Sequence, residues 1–338
     1  MKDFDSKARI IFIVGASRSG TTMLNGVLGN HSQILGLNEL HYIGETWDPA
    51  VPPTNLTRAE AKPIIARLLA VAHRSAWKAE TIDADFENAD AVIARMTDGR
   101  LNSFTVYAET LAFLARSAER TCVVDQTPRN IYYVGKLLDY LPESRVIHMY
   151  RDPRAVMCSQ KNRWRQRFLG AKHVPLRDAI RVFANYHPFT TTRLWTKAWD
   201  IGEALDGRSQ YYRLKFESLV ASPTEELKKL CRFLGVDFEP GMLNVPRFSS
   251  SNLGGGDRGR GISSDVVDVW RNQLTAGEIG VCEYMAADRL NRGGYEPVGA
   301  GVPVLSALKY ALLFPLHVVG VLLTNPKVAL RVQRAMRR

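Results

Sequence analysis

Gly15-Ala16-Ser17-Arg18-Ser19-Gly20-Thr21-Thr22 has the spacing of a phosphate-binding loop, with threonine at the position where a nucleoside triphosphatase carries its lysine. Without that lysine, a triphosphate and its magnesium ion are poorly neutralised, and a monophosphate-type ligand fits better. Arg18 lies inside the loop instead, where a fixed cation can stabilise a bridging oxygen as leaving-group charge develops on it. A second anion signal is Arg151-Asp152-Pro153-Arg154, with Ser159 eight residues beyond Arg151. Asp152 suits a helix N-cap and Pro153 the first helical position, so Arg151 is expected at the carboxyl end of a strand, with the Ser159 hydroxyl about two turns into the helix.

These residues require elements that aim them at one edge. The apolar run Ile10 to Val14 reads as a buried parallel strand, and Met23, Leu24, Val27 and Leu28 recur at helical spacing after the loop. A loop between a strand end and a helix start turns backbone N–H groups and the positive end of the helix dipole toward one point, which makes it an anion site. Arg145 to Tyr150 and Gln210 to Lys215 repeat the strand pattern, and open α/β sheets bind ligands outside the carboxyl ends of their strands. The helix Thr224 to Leu234 starts after Ser222-Pro223 and stops at Gly235. Residues 42 to 120 read as a mostly helical insertion that, with 161 to 199, shapes an acceptor cleft.

With both motifs in this order, the chain resembles the sulfotransferases that use 3'-phosphoadenosine 5'-phosphosulfate (PAPS) as donor, over roughly residues 8 to 298. Ser17 stands where the family's P-[KR]-S-G-T-T loop has proline. The resemblance implies an α/β, three-layer P-loop-like fold with a central, mainly parallel sheet. It implies that Ser17, Arg18, Ser19, Gly20, Thr21 and Thr22 hold the 5'-phosphosulfate, and that Arg151 and Ser159 hold the 3'-phosphate. A basic loop closes over that phosphate in the family, which carries Arg258 and Arg260 over as further donor ligands. PAP is then the product, and no metal is expected.

In-line sulfuryl transfer needs a base for the acceptor hydroxyl. Glu39 follows Arg18 by the interval found in the tyrosylprotein branch of the family, so Glu39 and Arg18 are the expected catalytic pair. His41 is the competing base. A short strand ending near Glu39 is expected beside the loop. Where related enzymes commonly carry a sulfonate-stabilising lysine, this chain has Gln126, which either contacts the sulfonate or caps the Thr127-Pro128 turn; Arg129 is the nearest replacement cation.

The net charge of +11 suits an anionic donor and arrives without any nucleic-acid-binding signature. Cys122, Cys158, Cys231 and Cys282 show no metal or redox spacing and read as reduced, buried thiols. Met1 to Lys7 leave little room for a signal peptide before the first strand, which points to a cytoplasmic protein. Residues 1–298 are read as the sulfotransferase domain and 299–338 as a C-terminal hydrophobic and basic helical tail.

Val302 to Leu323 is apolar with few exceptions, and Lys327, Arg331, Arg334, Arg337 and Arg338 follow without an acidic residue. Pro303, Lys309 and Pro315 interrupt the apolar run, so shallow insertion at the inner face of the cell membrane is favoured over a span or over packing on the core or a homodimer partner. A small-molecule, lipid or glycan hydroxyl is the expected acceptor. The rival classes are a P-loop kinase or NTPase and a non-catalytic nucleotide-binding membrane protein.

Overall fold

The computed structural model describes residues 8–48, 51–74, 79–96, 101–167, 175–246, 259–299 and 304–325. In chain order the elements begin with β1 (Arg9–Gly15), α1 (Thr21–Gly29), β2 (Ile34–Leu37) and a short α2 (Tyr42–Glu45). The helical insertion follows as α3 (Arg58–Arg74), α4 (Asp83–Ala94) and α5 (Ser103–Ser117). Then come β3 (Cys122–Asp125), α6 (Val134–Tyr140), β4 (Arg145–Tyr150), α7 (Pro153–Lys161), α8 (Leu176–Ala184) and α9 (Pro188–Glu203). The chain continues through β5 (Tyr211–Lys215), α10 (Phe216–Ala221), α11 (Pro223–Leu234), α12 (Trp270–Gln273), α13 (Ala276–Arg292) and α14 (Val304–Thr324).

Two compact units share the chain, one made of Met1–Tyr150 and Ile201–Val245, the other of Arg151–Asp200 and Pro246–Arg338. The first holds the whole sheet, with strand order β2-β3-β1-β4-β5 and every pairing parallel. Central parallel strands are covered on both faces, and Ile11 to Val14 are accordingly buried. β2 does not pair directly with β1. The fully buried β3 takes that place, with Asp125 level with both Phe12 and Leu37. From β1 the chain turns through α1 toward β2 on one side, whereas β4 and β5 lie on the other. The crevice outside the carboxyl end of β1 is therefore the point where strand order reverses, and it faces the loop.

In the second unit, Met157 and Cys158 of α7, Trp270 of α12 and Ile279 and Cys282 of α13 form one buried cluster. α14 is a single helix that runs through Pro315. An interior proline removes a helical hydrogen bond at a cost of about 3 kcal/mol, and packing on both sides of Pro315 offsets it. The His187 ring lies 5.3 Å from Phe314 and 4.9 Å from His317. Among the described residues, no helix is long and apolar enough to cross a membrane. All four cysteines are buried and free.

Candidate active site

The loop leaves β1 at Gly15 and enters α1 at Thr21. A β-carbon on Gly15 would lie 2.2 Å from the Met149 carbonyl oxygen, so only glycine lets β1 and β4 stay paired here. Gly20, at φ +95°, is both the cap of α1 and the closest approach to Phe216, whose ring would sit 2.5 Å from an added β-carbon. Arg18 also adopts a left-handed conformation, at φ +75°. A non-glycine residue held there costs about 1 kcal/mol or more and marks a loop whose shape is imposed by its surroundings.

The Ser19 side chain is fully buried, and its hydroxyl has no hydrogen-bond partner among the described residues. Buried hydroxyls are normally satisfied, so one orphaned at a helix N-terminus fits an anion that supplies the missing acceptor. Ser17 and Thr22 are exposed and Thr21 is buried, so the loop presents hydroxyls at several depths. Gln126 donates from Nε2 to the Thr21 hydroxyl at 3.0 Å. Thus the amide that stands in place of a lysine is turned to the loop rather than to the Thr127-Pro128 turn.

The turn after β3 also holds the Glu39 segment. Thr127 Oγ1 accepts from the backbone N–H of Leu40 at 3.2 Å and of His41 at 3.4 Å, and it donates to Asp125 at 2.6 Å. Tyr107 donates to the other Asp125 oxygen, and Asn130 approaches that oxygen at 3.3 Å. Burial raises the Asp125 carboxyl above its ordinary value, while the Thr127 and Tyr107 hydrogen bonds oppose the shift. The brace ends at Glu39, whose Oε2 lies 3.0 Å from His41 Nε2. His41 sits at φ 51°, a second imposed left-handed conformation. Arg129, the nearest replacement cation, directs its guanidinium at Gly44 in the turn after His41. The first unit therefore gathers the loop, Gln126 and the Glu39–His41 pair at the carboxyl ends of β1, β3 and β2.

In the second unit, Asp152 caps α7 by accepting from the Arg154 N–H at 2.8 Å, with Pro153 at the first helical position. Arg151 and Ser159 are both buried. Arg151 donates to the Val266 carbonyl at 2.7 Å, and its own carbonyl accepts from the Trp195 indole at 2.9 Å. Asp152 pairs with Arg154, which bridges Asp152 at 2.8 Å and Glu283 at 2.6 Å and lies 4.2 Å over the Trp270 ring. Sequence reasoning missed this brace, because Glu283 is far away in the chain. Arg260 lies exposed in irregular structure, beside a bridge between its backbone and Pro246. Arg258 falls outside the described residues.

The profile of the Sulfotransferase family matches residues 10–240, which spans β1 through α11 and includes both anion motifs. An uncharacterized protein of Aquifex aeolicus is 27% identical over 70% of this chain and 26% of its own length. Nodulation protein NoeE of Sinorhizobium fredii is 27% identical over 87% of this chain and 68% of its own. Omega-hydroxy-beta-dihydromenaquinone-9 sulfotransferase Stf3 of Mycobacterium bovis is 27% identical over 52% of this chain and 42% of its own. The chain thus spans about a quarter of the Aquifex protein and less than half of Stf3. Among solved structures, the sulfotransferase domain from the curacin biosynthetic pathway aligns over 86% of this chain and 98% of its own, at 20% identity and a TM-score of 0.47. With its loop at the carboxyl end of a central parallel strand and the family profile covering most of its length, the chain belongs to the sulfotransferase family.

Proposed function

We propose that this chain transfers the sulfuryl group of PAPS to the hydroxyl of a lipid or glycan acceptor at the inner face of the cell membrane. The buried, unpartnered Ser19 hydroxyl inside a loop of the family's pattern carries the reading. When bound, the donor supplies an electrophilic sulfur and a bisphosphate leaving group. Residues 17 to 22 hold its 5' end, and Arg151 and Ser159, with Arg258 and Arg260, take its 3'-phosphate. Glu39 accepts the proton of the acceptor hydroxyl, and Arg18 stabilises the bridging oxygen as its bond to sulfur breaks. Gln126 donates toward the sulfonate while keeping Thr21 in place. Residues 1–298 perform this chemistry, and 299–338 bring the protein to the membrane surface. Six Lys and Arg residues without one Asp or Glu from Val302 to Arg338 support that part of the reading, as does the name of Stf3, which specifies a hydroxylated menaquinone.

Calorimetry with adenosine 3',5'-bisphosphate and with magnesium-ATP tests the donor site. Binding of the bisphosphate without metal is expected; magnesium-dependent ATP binding in its place would move the protein to the kinase class. A screen of lipid and glycan hydroxyls with radiolabelled PAPS then reads out transfer, and bisphosphate binding without transfer to any acceptor would leave a non-catalytic nucleotide binder.

A further inference from the structure

The second unit leaves two apolar rows uncovered on neighbouring helices. On α14, large aliphatic side chains recur every third or fourth residue from Leu305, which is 83% exposed, to Leu323, which is 79% exposed. On α8, Leu176, Ile180 and Phe183 recur at the same spacing, and each is more than half exposed. The opposite sides of both helices are engaged. α14 packs through Tyr310, Phe314 and His317 around His187, and α8 buries Asp178 and Ala179. The helices meet near the ends of their runs, where Asn325 donates to the Asn185 side chain at 2.9 Å and Gly320 faces Ala184. Exposed rows of this size rarely stand in water without an occupant.

Charge selects the occupant. From Arg163 to Arg181 there are six Lys and Arg residues against the single acid Asp178, which pairs with Arg181 at 3.0 Å, while Lys161 just before them pairs with Glu278 at 2.8 Å. On the α14 side, Lys309 lies on the helix and five cations follow it in sequence, with no acid. Apolar rows flanked by cations match an anionic bilayer surface, where the aliphatic side chains enter the acyl boundary and the cations meet headgroup phosphates. We propose that α8 and α14 together form a two-helix face that docks on anionic lipid, so that the tail is only half of the attachment. This rests on the membrane reading given above and adds α8 to it.

The test uses the full-length protein and flotation with phosphatidylcholine vesicles that contain or lack phosphatidylglycerol. The wild-type chain should float with the anionic vesicles and much less with the neutral ones. A double variant, Leu176→Ser with Ile180→Ser, should lower the bound fraction on the order of tenfold at unchanged melting temperature, because both side chains are exposed; Phe183 is left in place because its ring packs edge-on against Trp164 at 5.9 Å. A tail variant, Leu312→Ser with Leu316→Ser, should weaken binding comparably. If the tail variant is released while the α8 variant binds like wild type, the two-helix face is wrong and the tail reading stands. If the wild-type chain binds neither vesicle, both fall. Light scattering that shows a dimer dissociated by the α8 substitutions would assign the face to a second copy and overturn the proposal.

Discussion

Gln126 and Thr21, over a hundred residues apart in sequence, join the end of β3 to the first residue of α1 through one hydrogen bond of 3.0 Å. The bond sits where the lysine of a phosphate loop would begin, and it orients the Gln126 amide without adding charge. Gln126→Ala should lower kcat about tenfold, the scale of one hydrogen bond lost at a developing charge. Thr21→Ala should cost a similar factor, and the double variant less than the product, because the two share a bond. Steady-state turnover with labelled PAPS checks this; full activity of Gln126→Ala would remove Gln126 from the chemistry.

Ser19 offers a different separation. Its hydroxyl is buried without a partner, so Ser19→Ala leaves no broken bond behind and should hold or raise the melting temperature of the free protein. The same change should weaken adenosine 3',5'-bisphosphate about tenfold by calorimetry. A loss of fold stability together with unchanged affinity would make Ser19 a structural residue.

Glu39 and His41 touch at 3.0 Å, so either alone could serve as the base. Assignment of Glu39 predicts that Glu39→Gln reduces kcat by a hundredfold or more, on the order of a lost general base, whereas His41→Gln costs far less. Single-turnover rates for the two variants decide between them, and the reverse ranking would give the role to His41.

His148 lies in β4, level with Val14 of β1, and bears on stability. Burial drives its pKa from an ordinary value of 6.5 down to about 3, and Nδ1 lies 2.6 Å from the Tyr211 hydroxyl. The unfolded chain binds a proton below pH 6.5 that the folded chain refuses. The contribution is therefore complete above that pH and is lost as pH falls toward 3. Urea unfolding between pH 6 and pH 4.5 should show stability falling by up to about 1.4 kcal/mol per pH unit from this group. In His148→Gln the slope should flatten by that amount; an unchanged slope would mean that other groups set the acid limit.

The parts legible in the sequence were those with local causes. β1 and its loop, the Asp152 cap of α7 with Pro153, and the Gly235 stop of α11 each follow from residues within a few positions of one another. What escaped depends on neighbours distant in the chain. Nothing local says that β3 inserts between β1 and β2, since a buried Val-rich strand reads the same in any slot of a parallel sheet. The brace from Asp125 through Thr127 to the Glu39 segment follows from that insertion and was equally hidden.

The division of the first unit into two chain segments has a consequence during synthesis. β4 pairs with β5 on its outer side, yet residues 151 to 210 are made between them. On the ribosome, the apolar strand Arg145–Tyr150 therefore waits as an open edge while that stretch is translated and threaded, and an open edge is a template for strands of other nascent chains. Slow translation through residues 151 to 210 prolongs that interval, and the emergence of Tyr211–Lys215 ends it.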